Sequence, residues 1–291
     1  MSEKHPIISV TGSSGAGTTV VRETFEQIFR RENVNAAFIS GDAFHRFDRE
    51  EMRRRTDEAE QNGDNGFSHF GVEANLFEEL EATFRQYAEN GTGTTRHYVH
   101  DAKEAHDYGA QLGTFTPWKD LDAGSDLLFY EGLHGAVKTD RVDVGRHADL
   151  KIGVVPVINL EWIQKIHRDK DARGYTTDDV TKTILRRMPD YVKYIVPQFS
   201  ETDINFQRVP MVDTSNPFVA RTIPTADETM VVIRFKNPRG IDFSYLLSMM
   251  AGSVMSRANS IVVPGGRLDL AMQLILTPII MQLVERKRRV F

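Results

Sequence analysis

Apolar positions along the chain follow two different periods. Unbroken runs at Ile7-Ile8-Ser9-Val10, Ala36-Ala37-Phe38-Ile39-Ser40, Leu127-Leu128-Phe129-Tyr130-Glu131 and Leu150-Lys151-Ile152-Gly153-Val154-Val155 have the length of buried strands. Between the first two, Val21, Phe25, Ile28 and Phe29 recur at i, i+4, i+7 and i+8, which predicts a helix with one apolar face. Strand, helix and strand in so short a stretch predict a right-handed crossover and a parallel sheet.

Residues 46–121 break this rhythm. They are polar, glycine-dotted and richer in aromatics and histidines, and predict helices and loops carried above the sheet edge. Helices are expected from about Asn159 to Asp171 and again from Thr176-Thr177-Asp178-Asp179, which resembles an N-terminal capping pattern. Residues 230–235 and 260–263 predict further strands. A long amphipathic C-terminal helix ends in Arg286-Lys287-Arg288-Arg289, where cations suit the helix dipole. The expected fold is a single α/β domain over 1–291, a mixed and largely parallel sheet flanked by helices. Its insertion spans about 46–121.

Composition narrows the function. At 291 residues the chain could hold two domains or one large one, and 36 basic against 41 acidic side chains leave a charge of −5. That balance argues against general nucleic-acid binding, which draws on a positive surface. With no cysteine there is no disulfide, thiolate metal site, cysteine nucleophile or thiol switch, which fits a reducing, cytoplasmic setting. Met1 to Pro6 predicts no leader. The greasy stretch at 268–284 is interrupted by Asp269, Gln273, Thr277, Pro278 and Gln282, so no membrane segment is expected. A small-molecule partner is the expectation.

The first predicted strand runs into Gly12-Ser13-Ser14-Gly15-Ala16-Gly17-Thr18-Thr19 and a helix. Glycines there let backbone N–H groups converge on a phosphate, and the pattern is G-x-x-x-x-G-K-[ST] with Thr18 in place of lysine. Thr19 keeps the hydroxyl that serves magnesium. Another cation must therefore reach the phosphoryl group, or the loop binds something else. A dinucleotide-binding oxidoreductase is the weaker reading, because the glycines are spaced G-x-x-G-x-G and no tyrosine is followed four residues later by lysine.

Candidate acids and cations lie at the strand ends and on one helix. Glu131 ends a Walker B-like strand, where a carboxylate can serve the magnesium shell. Asp42 in Gly41-Asp42-Ala43-Phe44-His45 can accept the proton of an attacking hydroxyl, with His45 and Arg49 expected on successive helical turns toward one anion. Lys165, Arg168 and Asp169 are expected to share a helix face, with Trp162, Ile163 and Ile166 on another and Arg173 before the loop at Gly174. Lys165 and Arg168 could supply the charge missing from position 18, as a cationic lid over about 159–174 that arrives on closure. Tyr98 and His100 alternate as on a hairpin edge, suited to sugar hydroxyls.

Taken together, the Gly12–Thr19 loop with Thr18, Gly41-Asp42-Ala43-Phe44-His45, Tyr130-Glu131-Gly132-Leu133-His134 and Arg168-Asp169-x-x-x-Arg173-Gly174 resemble the phosphoribulokinase family, in its shorter, cysteine-free bacterial branch. The likeness extends to 203–210 and 256–260. It implies a fold similar to nucleoside monophosphate kinases and ATP- and Mg2+-dependent phosphorylation of ribulose 5-phosphate to ribulose 1,5-bisphosphate for carbon fixation. By the same resemblance Asp42 is the base; His45, Arg49 and Arg173 contact the sugar phosphate; Lys165 and Arg168 are transition-state cations; and Glu131 and Asp169 are magnesium-associated acids. The branch is also an octamer activated by NADH and inhibited by AMP, and Arg31, Arg234 and Arg257 match its effector positions. A uridine kinase-like enzyme also carries an Arg-Asp-x-x-x-Arg-Gly segment but should show a P-loop lysine. A nucleotide-sensing regulator without chemistry would have no use for Asp42.

Overall fold

A computed structural model describes residues 4–13, 18–64, 66–173 and 176–290, with the side chains of 18, 19, 171–173 and 290 outside that description. In chain order the strands are β1 (Ile7–Gly12), β2 (Ala36–Ser40), β3 (Thr94–Thr95), β4 (Lys119–Asp120), β5 (Leu127–Gly132), β6 (Leu150–Val155), β7 (Ile204–Pro210), β8 (Thr229–Phe235), β9 (Val254–Arg257) and β10 (Ser260–Pro264). The helices are α1 (Thr18–Arg31), α2 (Arg49–Gln61), α3 (Phe77–Asn90), α4 (Ala102–Tyr108), α5 (Ile158–Arg173), α6 (Thr177–Asp190), α7 (Gln198–Glu201), α8 (Phe243–Met249) and α9 (Leu268–Val290).

Eight strands form one sheet in the order β2-β5-β1-β6-β7-β8-β10-β9. The five from β2 to β7 run parallel, and the last three joints are antiparallel. The crossover from β1 through α1 does not return to a neighbouring strand, because β5 lies between β1 and β2. Val10 and Ser40 both pair with Glu131, so the ends of β1, β2 and β5 open along one edge. In parallel sheets that carboxyl edge is where ligands bind.

Alternation along the central strands assigns each face its helices. Ile8, Val10, Phe129 and Ile152 pack with Val21, Phe25, Ile28 and Phe29 of α1 and with Met272, Ile275, Leu276 and Ile280 of α9. Ile7, Ile39, Leu128 and Tyr130 pack with Phe77, Leu80, Phe84 and Tyr87 of α3. Each such side chain contributes about 1.5–3 kcal/mol by leaving water. Segment 46–121 thus supplies one core layer through α3 and also gathers around the turn after β2.

By length and composition α9 is apolar enough to cross a membrane, so its polar interruptions are not what decides its place. Packing decides it: Ala271, Met272, Leu276, Ile280 and Val284 are buried in the core. Asp269 accepts a hydrogen bond from Thr24 of α1 at 2.8 Å, and Arg286 pairs with Asp149 at 3.0 Å.

Candidate active site

Two glycines allow the strand ends to meet. A Cβ on Gly41 would lie 2.6 Å from Tyr130 Oη and 2.8 Å from Gly132 Cα, so only glycine permits the turn after β2 to cross the end of β5. That close approach sets Asp42 beside the strand end carrying Glu131. Residues Gly41–Phe44 form one 3-10 turn, His45 is extended, and α2 starts only at Arg49. The expected single helix carrying Asp42, His45 and Arg49 is therefore absent; tertiary contacts collect these side chains instead.

His45 Nε2–H donates to Asp42 Oδ1 at 3.1 Å, and His100 Nε2–H donates to Oδ2 at 3.1 Å. Loss of solvent opposes ionisation of Asp42, but the bonds from His100 and His45 outweigh it and hold the carboxyl far below the usual carboxylate range. The carboxylate raises His100 directly, and it raises His45 against that residue's burial. Asn75 Oδ1 lies 2.8 Å from His45 Nδ1 and fixes the ring. Arg49 donates to the His100 carbonyl at 3.2 Å, and the Tyr98 and His100 rings meet edge to face at 4.9 Å. His45 and His100 thus grip one carboxylate, with Arg49 and Tyr98 packed on His100.

Arg96 braces this turn from behind. It donates to the carbonyls of Ala43 at 2.8 Å and His45 at 2.6 Å, with its guanidinium 3.6 Å above the Phe115 ring. Buried Gln198 does the same for the strand ends. Its oxygen accepts from the Thr11 hydroxyl and Ala136 N–H at 3.0 Å each, and its amide donates to the carbonyls of Leu133 and Tyr194 at 2.8 Å each.

Of the expected cradle, Gly12 ends β1, Ser13 is buried, and Thr18 and Thr19 open α1. Ser14, Gly15, Ala16 and Gly17 lie outside the described residues, as do the side chains of Thr18, Thr19 and Arg173. Magnesium takes oxygen ligands, commonly one or two carboxylates beside the nucleotide phosphates. No group of three or more acidic or histidine side chains that could hold a metal occurs among the described residues. Glu131, half-buried at the end of β5 and paired in register with Val10, nevertheless fits a metal held largely by phosphates.

A partly open cleft lies between Ser13 and helices α5 and α6, lined also by His69, Glu161, Lys165, Arg187 and Tyr191. The cation expected to replace position 18 thus shares a cleft with the residue that follows β1. Burial, then Arg187, lowers Lys165 to about 8 against the opposing pull of Asp169. Lys165 Nζ donates to Asp169 Oδ2 at 2.6 Å and Arg168 Nε to Oδ1 at 3.2 Å, so the buried Asp169 faces both cations. Trp162, expected on another face of the helix, lines the same cleft as Lys165. Glu161 is buried and accepts from Tyr191 Oη at 2.9 Å.

The profile of the Phosphoribulokinase / Uridine kinase family matches residues 7–215. The chain belongs to this family. It is 71% identical to phosphoribulokinase of Nitrobacter vulgaris over 99% of this chain and 100% of that protein. It is 65% identical to the chromosomal phosphoribulokinase of Cupriavidus necator over 99% of each. The solved phosphoribulokinase from Rhodobacter spheroides superposes with a TM-score of 0.91 at 64% identity, covering 99% of this chain and 100% of that one. The expected kinase-like mixed sheet, ATP-dependent kinase chemistry and use of Mg2+ follow from this membership.

The three arginines matched to the family's effector positions separate into two places. Arg234 on β8 and Arg257 on β9 both pair with Ser260 of β10, one from each side. Arg31 ends α1 and donates to Gln273 at 2.8 Å and Thr277 at 3.0 Å of α9. Sequence reasoning missed Asn75, Arg96, Gln198, His69 and Arg187. Each works through contacts distant in sequence, and none stands in a motif of fixed spacing.

Proposed function

We propose that this protein transfers the γ-phosphoryl group of ATP to the primary hydroxyl of ribulose 5-phosphate, giving ribulose 1,5-bisphosphate. The observation that carries this reading is Asp42, held by His45 and His100 at the sheet edge where the β1–α1 connection begins. Asp42 orients the attacking hydroxyl and takes its proton. So acidic a carboxyl is a weak base, which phosphoryl transfer tolerates because its loose transition state gains little from early proton removal. A sugar phosphate arriving beside His45, His100 and Arg49 draws the imidazole N–H groups from Asp42 and raises its basicity. Tyr98 and Arg173 complete this binding group.

Across the cleft, Gly12 to Thr19 hold the nucleotide. Magnesium, when bound, would neutralise phosphate charge, and Thr19, Glu131 and Asp169 would hold it. Lys165 and Arg168 take the place of the lysine absent at position 18. Segment 46–121 covers the sugar, and the second half of α5 acts as the lid.

By the same resemblance we read Arg31, Arg234 and Arg257 as an NADH activation site, and the protein as a cytoplasmic homo-oligomer. A coupled assay of ADP release tests the central reading. Turnover with ribulose 5-phosphate and none with uridine or without acceptor is expected, and preference for uridine would overturn it. NADH titration in the same assay checks the effector.

A further inference from the structure

Three parts of the molecule meet at Glu161. It stands on α5 one helical turn before Lys165, so the two side chains are neighbours on that helix, and both line the cleft that reaches Ser13. Glu161 is only 8% exposed, and a carboxylate is kept so far from water only where other groups meet it. Tyr191 Oη donates to its Oε2 at 2.9 Å. The buried Ser13 hydroxyl faces the same carboxylate, close enough to favour its ionised form though short of a fully formed hydrogen bond. Tyr191 is itself fixed: it is buried, and its ring packs on that of Phe70 with centroids 5.7 Å apart. It also opens a π turn, Tyr191–Ile195, just after Pro189 of α6. Such turns are rare and occur mostly at functional sites.

We infer that Glu161 is a positioning residue for phosphoryl transfer, registering Lys165 against the nucleotide loop with Ser13 and Tyr191 as its fixed points. This rests on the kinase reading above and on Lys165 as the cation that stands in for position 18. A lysine within the loop keeps register with the phosphates, because one stretch of backbone carries both. A cation brought by a separate helix has no such register unless a contact ties that helix to the loop. The bond from Lys165 to Asp169 lies within α5, so it aims the ammonium without fixing the helix. Glu161 reaches from α5 to Ser13 on one side and to Tyr191 on the other.

The test uses the full chain with ATP and ribulose 5-phosphate, at a temperature where each variant is folded. Glu161→Leu should lower kcat roughly 10–100-fold, as for a reacting group displaced by about 1 Å, with both KM values within about threefold. Glu161→Gln, which keeps an acceptor for Tyr191, should recover part of the loss. In a Lys165→Met background Glu161→Leu should lower kcat by no more than about twofold further, since no ammonium remains to be registered. Tyr191→Phe keeps the ring on Phe70 and should repeat the pattern more weakly, which carries the comparison if Glu161→Leu does not fold. Equal losses in the two backgrounds mark a merely structural role and overturn the inference, as does an unchanged kcat in the single variants. If the unaltered protein does not turn over ribulose 5-phosphate, the kinase reading falls and this inference with it. If it does and the two backgrounds lose alike, only the role of Glu161 falls.

Discussion

His100 Nε2 lies 3.1 Å from Asp42 Oδ2, although the two residues come from separate segments of the chain. His45 holds the other oxygen, so the proposed base is clamped between two imidazoles whose pKa it raises. Asp42→Asn should lower kcat roughly 10²–10⁴-fold with little change in ATP affinity. The two histidines, raised by the carboxylate, should then titrate at lower pH. Histidine NMR titrations of both proteins check this. Near-normal turnover in the variant would remove Asp42 from the base role.

Lys165 sets an alkaline limit on the reaction. Its pKa of about 8 follows from burial and from Arg187, and the charge is present below that value. kcat/KM should fall as pH rises through about 8, and Lys165→Arg, whose charge persists, should move that limb upward. Lys165→Met should act mainly on kcat. A pH profile flat from 7 to about 9.5 in the unaltered protein would exclude Lys165 as the required cation.

Much of this arrangement is legible in the order of residues along the chain. Continuous apolar runs mark β1, β2, β5 and β6, and the fourfold spacing of Val21, Phe25 and Phe29 marks α1, because their burial is written in local periodicity. Strand β7 is harder to read as a strand, since Asn205, Gln207 and Arg208 interrupt its apolar pattern. Asp42, Glu131 and Lys165 stand out because strand ends and helix faces have fixed chemistry. Arg96 and Asn75 do not, because their work is to hold the carbonyls and rings of distant segments. The order of β2, β5 and β1 is equally hidden: pairing across long connections leaves no local mark.

Gly41 makes a sharp steric test of that order. A Cβ there would stand 2.8 Å from Gly132 Cα and 2.6 Å from Tyr130 Oη, and Tyr130 is packed in the core. Gly41→Ala should therefore destabilise the protein by about 1–3 kcal/mol, as other overpacked sites do, and should displace Asp42. Activity at a temperature where the variant stays folded should fall through kcat. Denaturant unfolding with parallel kinetics checks both effects, and a neutral result would mean the two strand ends do not approach so closely.

Gln198 tests the opposite case, a site held by satisfied polarity. Its amide meets Thr11, Ala136, Leu133 and Tyr194, binding the ends of β1 and β5 to the segment before α7. Gln198→Leu keeps most of the volume but leaves the Tyr194 carbonyl and the Ala136 N–H without this partner, while the Leu133 carbonyl keeps the Thr11 hydroxyl at 3.1 Å. Each unmet buried group costs about 1–3 kcal/mol, partly recovered by relaxation, so a loss of about 2–4 kcal/mol is expected. Because Thr11 precedes Gly12 and Leu133 follows Glu131 closely, the KM for ATP should rise as well. A variant as stable as the parent and unchanged in ATP affinity would show that the strand ends hold their geometry without this amide.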